Sequence, residues 1–406
     1  MRTTKFRFMW LLAAAALAFT ACNKDDDDNN KPLVEDGFYV SGKAIFTEEL
    51  NQASLMEYGW IDKFPNPSEK RDGLMVKFIY VNAGNDGFFL KEQAGPTLKT
   101  YGLDGAWVAD TVDKKDWAWT GTLKENGNAF TVTSEGLYFF IADMTTKKTA
   151  ILKVKSFEVV GNMTNWGYDE NYVFTKKSLA LEKGEWEFVN LTLKPGKEFK
   201  VRFNGIWNYK LDESFGNVQT NIGMGEDLTK FQYGGGNYTV TSTGDATHIP
   251  TGIYKLNLSW DFSKGVTLAW TKTADVTYTD WSNTQIEVVG GGISTDNPNA
   301  ITDNIWNWNV YLFADNNGKP TKSGNVYTWK WTNVKILADQ EWKVRCRDTS
   351  NGFDAGNNIV DSNNATNWII GEGNTNIKLS VEGQYDLTLV IDAENGDTKK
   401  LSIKLH

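Results

Sequence analysis

Apolar and polar residues alternate with a period of two along most of the chain beyond residue 36. This alternation, in segments rich in β-branched and aromatic residues, predicts half-buried β-strands. Clear examples are the segments 199–203 (FKVRF), 255–260 (KLNLSW), 376–381 (NIKLSV) and 385–391 (YDLTLVI). Asn-Gly pairs, which favour tight turns, stand at 126–127, 317–318 and 395–396. Beyond the first 21 residues we find no convincing amphipathic helix, so the pattern predicts an all-β fold.

One sequence plan recurs three times along the chain. An apolar strand that ends in glycine begins at Phe38 (FYVSG), Phe157 (FEVVG) and Ile286 (IEVVG), with spacings of 119 and 129 residues. Near the end of each repeat stands a Gly-x-Tyr triplet, at 136–138, 252–254 and 383–385. The stretches 186–202 (WEFVNLTLKPGKEFKVR) and 329–345 (WKWTNVKILADQEWKVR) align without gaps. Each repeat of about 120 residues is therefore predicted to be an antiparallel β-sandwich.

The repeats set the predicted domain organisation. It comprises a signal peptide at 1–21, a flexible acidic tether at 22–36, module one at 37–155, module two at 156–275 and module three at 284–406. Each module is expected to be a sandwich of the immunoglobulin-like or carbohydrate-binding-module-like kind. The segments between modules are short, which favours tandem domains in an extended rod.

The first residues have the pattern of an export signal. Three basic residues among the first seven precede an apolar run over 8–21, shorter than the roughly 20 residues that cross a bilayer as a helix. The end of this run, up to Cys22, resembles a bacterial lipobox, with Phe19 in place of the usual aliphatic residue. The resemblance implies acylation of Cys22, so that a lipid holds the protein at a membrane. An ordinary secretory signal is the alternative.

Four aspartates at 25–28 follow Lys24. Like charges repel one another and stay solvated, so this segment is predicted to be a flexible stalk. It also resembles the surface-export signal of lipoproteins in the Bacteroidota. That resemblance implies the outer membrane, with the protein facing the cell exterior; a solvated spacer without an export role is the alternative.

Composition excludes several classes of function. Loss of Arg2, Lys5 and Arg7 with the signal changes the formal net charge from −9 to −12, which argues against nucleic-acid partners. Two histidines cannot build a His-rich metal site, and nothing in the sequence requires a cofactor. With Cys22 acylated, Cys346 lacks a disulfide partner, and the alternation places it in the core. Aromatic residues make up 13% of the chain, which suggests that some face outward.

The strand 199–203 and the loop after it carry the strongest candidate chemistry. The apolar positions of the strand are predicted to face the core, which turns Arg202 and Asn204 outward. The loop adds Trp207 and Tyr209. Module three repeats the design with Lys343, Arg345 and Arg347 outward and Phe353 in the loop. The loops after the first strands of modules two and three add Trp166, Tyr168, Trp306 and Trp308.

Outward donors beside aromatic loops fit one class of ligand, the carbohydrates. Sugar rings present C–H groups that stack on Trp or Tyr, and their hydroxyls pair with Arg, Lys and Asn. In module one, Phe88, Phe89 and Trp107 are weaker equivalents. Packing in the core or within a loop is the alternative for any single ring, and recurrence of the whole pattern favours binding.

These motifs together resemble the SusE/SusF family of outer-membrane starch-binding lipoproteins. The resemblance rests on the signal with CNKDDDD, the VVG openings, the strands FKVRFNG and WKVRCRD and the Gly-x-Tyr strand, and it is best over 157–406. It implies an N-terminal immunoglobulin-like domain followed by modules that bind α-glucan through paired aromatics and Lys, Arg or Asn. The implied site residues are Trp166, Arg202, Trp207, Tyr209, Trp306, Lys343, Arg347 and Phe353. Module three lacks an aromatic at the position of Trp207, and module one is either a spacer or a third glycan module.

The sequence thus predicts a non-catalytic glycan-binding lipoprotein whose partner is a polysaccharide, with an α-glucan as the first choice. It would hold the polymer near surface hydrolases and a transporter, and a complex with that transporter is the expected protein partner. One alternative is a β-sandwich glycoside hydrolase, which needs two carboxylates about 5–9.5 Å apart. The other is a cell-surface adhesin or assembly subunit whose aromatics contact protein.

Overall fold

The computed structural model describes residues 34–406 except 64–66, 85, 111–115, 215, 303–309, 347–363, 371–375 and 395. In this part of the chain β-strands dominate, and helix is restricted to two short 3₁₀ helices, Asn162–Thr164 and Glu170–Tyr172. The sheets are mainly antiparallel and form tandem β-sandwiches, so the predicted all-β class is confirmed. No described helix is long and apolar enough to cross a membrane.

Module one is built on one long antiparallel sheet. Its strands are β1 (Gly37–Ser41), β2 (Glu57–Ile61), β3 (Glu69–Val81), β4 (Phe89–Ala94), β5 (Thr97–Leu103), β6 (Val108–Ala109), β7 (Ala118–Glu125), β8 (Gly136–Asp143) and β9 (Lys148–Lys153). The strand order is β1-β4-β5-β7-β9-β8-β3-β2, with β6 paired to β7. Every residue of β8 is buried, as expected for an apolar run with both faces covered.

Module two packs two sheets. Its strands are β10 (Phe157–Gly161), β11 (Thr175–Leu179), β12 (Lys183–Leu193), β13 (Glu198–Phe203), β14 (Asn208–Tyr209), β15 (Val218–Gln219), β16 (Ile222–Met224), β17 (Phe231–Tyr233), β18 (Tyr238–Thr241), β19 (His248–Pro250), β20 (Gly252–Asp261) and β21 (Gly265–Ala274). One sheet has the order β17-β16-β13-β18-β19 with β10 paired to β13, and the other has the order β11-β12-β20-β21. β18 and β19 are parallel, and the other pairs of these two sheets are antiparallel.

Module three repeats this two-sheet plan. Its strands are β22 (Ile286–Gly290), β23 (Ile301–Thr302), β24 (Val310–Phe313), β25 (Thr321–Ser323), β26 (Val326–Ile336), β27 (Glu341–Cys346), β28 (Asn364–Ile370), β29 (Ile377–Lys378), β30 (Gly383–Asp392) and β31 (Thr398–Leu405). The sheets have the orders β23-β24-β22-β27-β29 and β25-β26-β30-β31-β28. Equivalent strands of modules two and three therefore carry the aligned sequence stretches.

The recurrent Gly-x-Tyr triplet closes each module with a tyrosine corner. The rings of Tyr138, Tyr254 and Tyr385 are buried, and each hydroxyl donates to the carbonyl oxygen four residues upstream. A steric constraint explains why β10 ends in glycine. A Cβ on Gly161 would lie 2.1 Å from the Glu198 carbonyl oxygen, so β10 can approach β13 only without a side chain there.

Modules one and two share one buried core. Phe78 of β3 and Phe139 of β8 each pack against Phe203 of β13, with ring centroids 5.5 Å apart in both pairs. β2 also pairs with β15, which extends the sheet of module one into module two. The continuous set of buried apolar residues consequently runs over 40–268.

Module three has a core of its own over 286–403. The segment before it docks on this module, because Thr279 Oγ1 and Trp281 Nε1 both donate to the Asp397 carboxylate (2.9 and 2.7 Å). β27 alternates between buried and less buried positions as predicted. Cys346 is 4% exposed, which confirms its expected place in the core.

Candidate functional site

Two indole rings from separate loops lie together on module two. Trp166 follows β10 and Trp207 follows β13, and their ring centroids are 6.0 Å apart with an interplanar angle of 41°. Both residues are half-buried, so each keeps some exposed surface. Tyr168 lies nearby and is 62% exposed; a Cβ on Gly205 would be 3.9 Å from its ring. We name Trp166, Tyr168 and Trp207 the aromatic platform.

The backbone holds Trp166 in a conformation that large residues seldom adopt. Its φ is +61°, directly after Asn165 at +49°. The left-handed region costs an L-residue about 1–2 kcal/mol. The turn is held because the Trp166 amide donates to the Gly161 carbonyl oxygen (2.9 Å). Strained backbone is concentrated at functional sites, which supports a functional interpretation of this loop.

A buried ion pair lies next to the platform. Arg202 Nε donates to Glu158 Oε1 (2.9 Å), and the two residues face each other in the register of β13 and β10. Arg202 Cζ also lies 4.8 Å from the centroid of the Trp207 ring, in a cation–π contact. Such contacts are worth about 2 kcal/mol when they are desolvated. The ion pair thus helps to fix the position of Trp207.

The same ion pair occurs in module three. Arg345 Nε donates to Glu287 Oε1 (2.7 Å), at the register position that Arg202 and Glu158 occupy in module two. Both glutamates are fully buried. These contacts explain why the FEVVG and IEVVG strands share Glu and why the KVR strands share Arg. Sequence reasoning missed the pairing, although the signal was available as repeated residues of opposite charge.

The predicted outward orientation of Arg202 is only partly correct. The alternation assigns Arg202 to the face away from the core, but Trp207 covers it, and Arg202 is only 2% exposed. The expectation that its donors are open to a ligand is therefore wrong. Its neighbour on the same face, Lys200, is half-buried and donates from Nζ to Asn221 Oδ1 (3.2 Å). Burial lowers the pKa of Lys200.

Asn204 and Tyr209 also differ from the predicted exposure. Asn204 Oδ1 accepts from the Lys155 amide and its Nδ2 donates to the Lys153 carbonyl oxygen, both at 2.8 Å. Tyr209 is 2% exposed, and its hydroxyl donates to Asp110 Oδ2 of module one (3.1 Å). The expectation that both side chains face a ligand is wrong, because they hold the junction of modules one and two.

The candidates of module three are placed only in part. Lys343 is half-buried on β27, opposite Val289 of β22. The remaining predicted residues lie outside the described part of the chain: Trp306, Trp308, Arg347, Phe353 and the predicted lipidation site Cys22. Their roles stay predictions. The structure therefore brings together Trp166, Trp207 and Arg202, all in module two.

The platform is suited to stacking against the face of a ligand. The Glu158 carboxylate below it is buried and bonded to Arg202, so it is not placed for contact with a bound molecule. Across the described residues, no group of three or more His, Cys, Asp or Glu side chains could hold a metal ion. The exposed parts of the rings offer apolar contact to the C–H face of a sugar or a similar ring.

Comparisons with known proteins do not assign a function. No protein-family model matches the chain, and no curated protein matches its sequence. The function proposed below therefore rests on the platform geometry and on the sequence motifs.

Proposed function

We propose that the chain is a non-catalytic glycan-binding lipoprotein of the cell surface, with a starch-like α-glucan as its polysaccharide. The observation that carries the proposal is the pair of inclined, half-exposed indole rings, one of them held by a buried guanidinium. Two fixed rings can stack on successive C–H faces of a sugar chain, and exposed Tyr168 adds a third ring beside them.

The angle between the rings favours a curved ligand. The planes of Trp166 and Trp207 meet at 41°, so a chain that stacks on both rings must bend between them. An α-linked glucan curves into a helix, whereas a β-1,4-linked chain is extended. The inclined rings thus support the α-glucan that the resemblance to the SusE/SusF family implies.

The fixed rings also lower the cost of binding. A side chain that is already held in place loses less conformational entropy when the ligand arrives. A single shallow site should still bind weakly. Several sites on one chain, and many chains on one surface, would raise the avidity for a polymer through effective concentration.

The proposed location follows from the N-terminal motifs. Acylation of Cys22 would anchor the protein in the outer membrane, and the acidic run at 25–28 would hold the modules outside the cell. There the protein would retain polysaccharide close to surface hydrolases and a transporter. The transporter is the proposed protein partner.

Substitution of Trp207 tests the platform. Trp207→Ala should weaken glycan binding about tenfold, or about 1.4 kcal/mol, because the ligand loses one stacking face. The measurement is retardation of the purified protein in native gels cast with amylopectin, xyloglucan, pectin or fructan. Trp270→Ala is the matched control, because this half-buried indole lies on β21, in the sheet that does not carry the platform.

Each outcome separates the candidate functions. Full binding by Trp207→Ala would place the glycan site elsewhere. Release of reducing sugar from any of the polymers would indicate the glycoside hydrolase. Unchanged mobility of the wild-type protein in every gel would favour the adhesin or assembly subunit.

A further inference from the structure

An open groove with a volume of about 870 Å³ lies on module three, between β24 and the irregular middle of β26. Its walls are rich in carboxamides: Gln285, Asn297, Asn299, Asn316, Asn317 and Asn333. Ile301 and Phe313 add apolar surface, and buried Trp331 lies at its base. A carboxamide both donates and accepts hydrogen bonds, as a hydroxyl does. We name this feature the carboxamide groove.

Four of the carboxamides are open to a ligand. Asn299, Asn316, Asn317 and Asn333 are exposed. Their side chains form no hydrogen bond within the part of the chain that the structure describes. Asn297 differs, because its Oδ1 accepts from the Lys335 amide (2.6 Å) and it is buried. The open carboxamides thus line the groove without a side-chain partner among the described residues.

Backbone geometry favours asparagine or glycine at all four positions. Their φ values are +66°, +61°, +56° and +58°, in the left-handed region. Asparagine tolerates this region, but glycine adopts it at a lower cost. The backbone therefore restricts these positions to glycine or asparagine, and asparagine is the choice that adds a hydrogen-bonding side chain at each of them.

The charge of the groove indicates a neutral ligand. Asp315 is the ionisable residue among the described lining residues, and its Oδ2 accepts from Thr332 Oγ1 (2.8 Å). No lysine or arginine belongs to that lining. An anionic polymer would find no compensating charge there, whereas a neutral polyhydroxylated chain would require none.

Module two closes the equivalent groove with its own side chains. Its β12 has the same bulge, with Asn190 at φ +62°, but Tyr172 stacks on Phe188 at 5.8 Å and 12°. Phe174 also packs edge-on against Phe188, with centroids 5.9 Å apart. The bridges Glu158–Val173 and Glu287–Phe313 align the two modules and place Leu312 and Ala314 where module two has Tyr172 and Phe174. Leu312 and Ala314 are thus smaller than their counterparts, whereas Phe313 and Trp331 are larger than the equivalent Val173 and Phe188, so the groove of module three has a different lining.

We propose that the carboxamide groove is a second glycan site, which binds a neutral polysaccharide through hydrogen bonds to its hydroxyls and apolar contact with Phe313. The ligand class rests on the proposed function, whereas the site is independent of the aromatic platform. The two sites differ in chemistry: stacking dominates on module two, and hydrogen bonding dominates on module three.

Glycine substitutions test the groove without disturbing its backbone. The triple variant Asn316→Gly/Asn317→Gly/Asn333→Gly keeps residues that favour positive φ and removes three carboxamides. In a Trp207→Ala background the platform is impaired, so the remaining retardation by amylopectin, xyloglucan or fructan reports on the groove. We expect the triple variant to reduce that remaining affinity at least fivefold.

Three controls accompany the measurement. Asn190→Gly makes the same change at the closed position of module two and should leave the remaining retardation unchanged. Polygalacturonate, an anionic polymer, should not retard the Trp207→Ala protein. A chelator of divalent cations should have no effect; loss of retardation on chelation would indicate a metal site and would overturn the proposal.

The outcomes distinguish the groove from the platform. If Trp207→Ala alone abolishes retardation by every neutral polymer, or if the triple variant leaves the remaining affinity unchanged, the groove proposal is overturned and the platform is unaffected. If Trp207→Ala has no effect and the triple variant abolishes binding, the groove stands and the platform proposal fails. A wild-type protein that no neutral polymer retards overturns both.

Discussion

Arg202 shows how a single residue can support a surface without being exposed on it. Arg202→Met removes the cation and leaves the buried Glu158 carboxylate without this partner. Loss of one member of a buried ion pair typically destabilises a protein by about 3–5 kcal/mol. We expect a loss of that size in the free energy of unfolding, measured by urea denaturation and followed by near-ultraviolet circular dichroism.

A double variant separates stability from binding. Arg202→Met/Glu158→Leu removes both charges and should recover most of the lost stability, because no unpaired charge stays buried. Binding of amylopectin should remain weaker than in the wild type, since Trp207 still lacks the guanidinium contact. Arg345→Met breaks the equivalent pair in module three and should leave the platform intact. Wild-type stability of Arg202→Met would contradict the supporting role.

At the residue scale the sequence predicts which face a side chain occupies but not what covers it. Alternation correctly places Cys346 in the core and Arg202 on the opposite face of its strand. It cannot predict that Trp207 lies over Arg202, because a turn after β13 brings them together. The burial of Tyr209 depends on contacts with module one, which a local pattern does not contain.

At the element scale, the bulges in β12 and β26 are built on asparagine. Asn190 and Asn333 have φ values of +62° and +58°, each where the strand register shifts. Asn190→Ala should destabilise the fold by about 1–2 kcal/mol, because an ordinary side chain is strained in the left-handed region. Asn190→Gly should be close to neutral. Thermal unfolding of both variants measures the difference, and equal stability of the two would show that the bulge imposes no strain.

Residues that recur between the modules have structural roles. The shared tyrosines form the corners, the shared asparagines form the bulges, and the shared glutamates and arginines form the buried ion pairs. Recurrence identifies such positions because equivalent strands of the modules form the same corners, bulges and ion pairs. The roles could not be predicted, since they depend on which strands become neighbours. The carboxamide groove was missed because it arises where module three differs from module two.

At the scale of the whole molecule, modules one and two are joined through buried residues. Lys77 of module one lies 5.0 Å from the Phe262 ring centroid of module two, and burial lowers the pKa of Lys77 to about 8. Trp260 Nε1 donates to the Phe78 carbonyl oxygen across the junction (3.2 Å). The apolar run of β8 was the available sequence signal, because a strand without alternation is covered on both faces.

A shared core predicts that damage to module two also unfolds module one. Val201→Asp buries a carboxylate in module two at a fully buried position, and it should lower the unfolding temperature of modules one and two together. Limited proteolysis measures this, since cleavage should occur in both modules at the same temperature.

In a Cys22→Ser background, Cys346 is the single cysteine, and its thiol should stay protected from a thiol reagent while module three is folded.

Val344→Asp is the corresponding variant for module three, because it places the same charge in the core of that module. It should expose the Cys346 thiol at a temperature at which modules one and two still resist proteolysis. The two variants should thus produce complementary patterns, since the buried apolar residues form one set over 40–268 and another over 286–403. Reaction of Cys346 in the Val201→Asp protein would show that all three modules unfold together. Cleavage of module two alone would show that the packing of Phe203 against module one does not couple their unfolding.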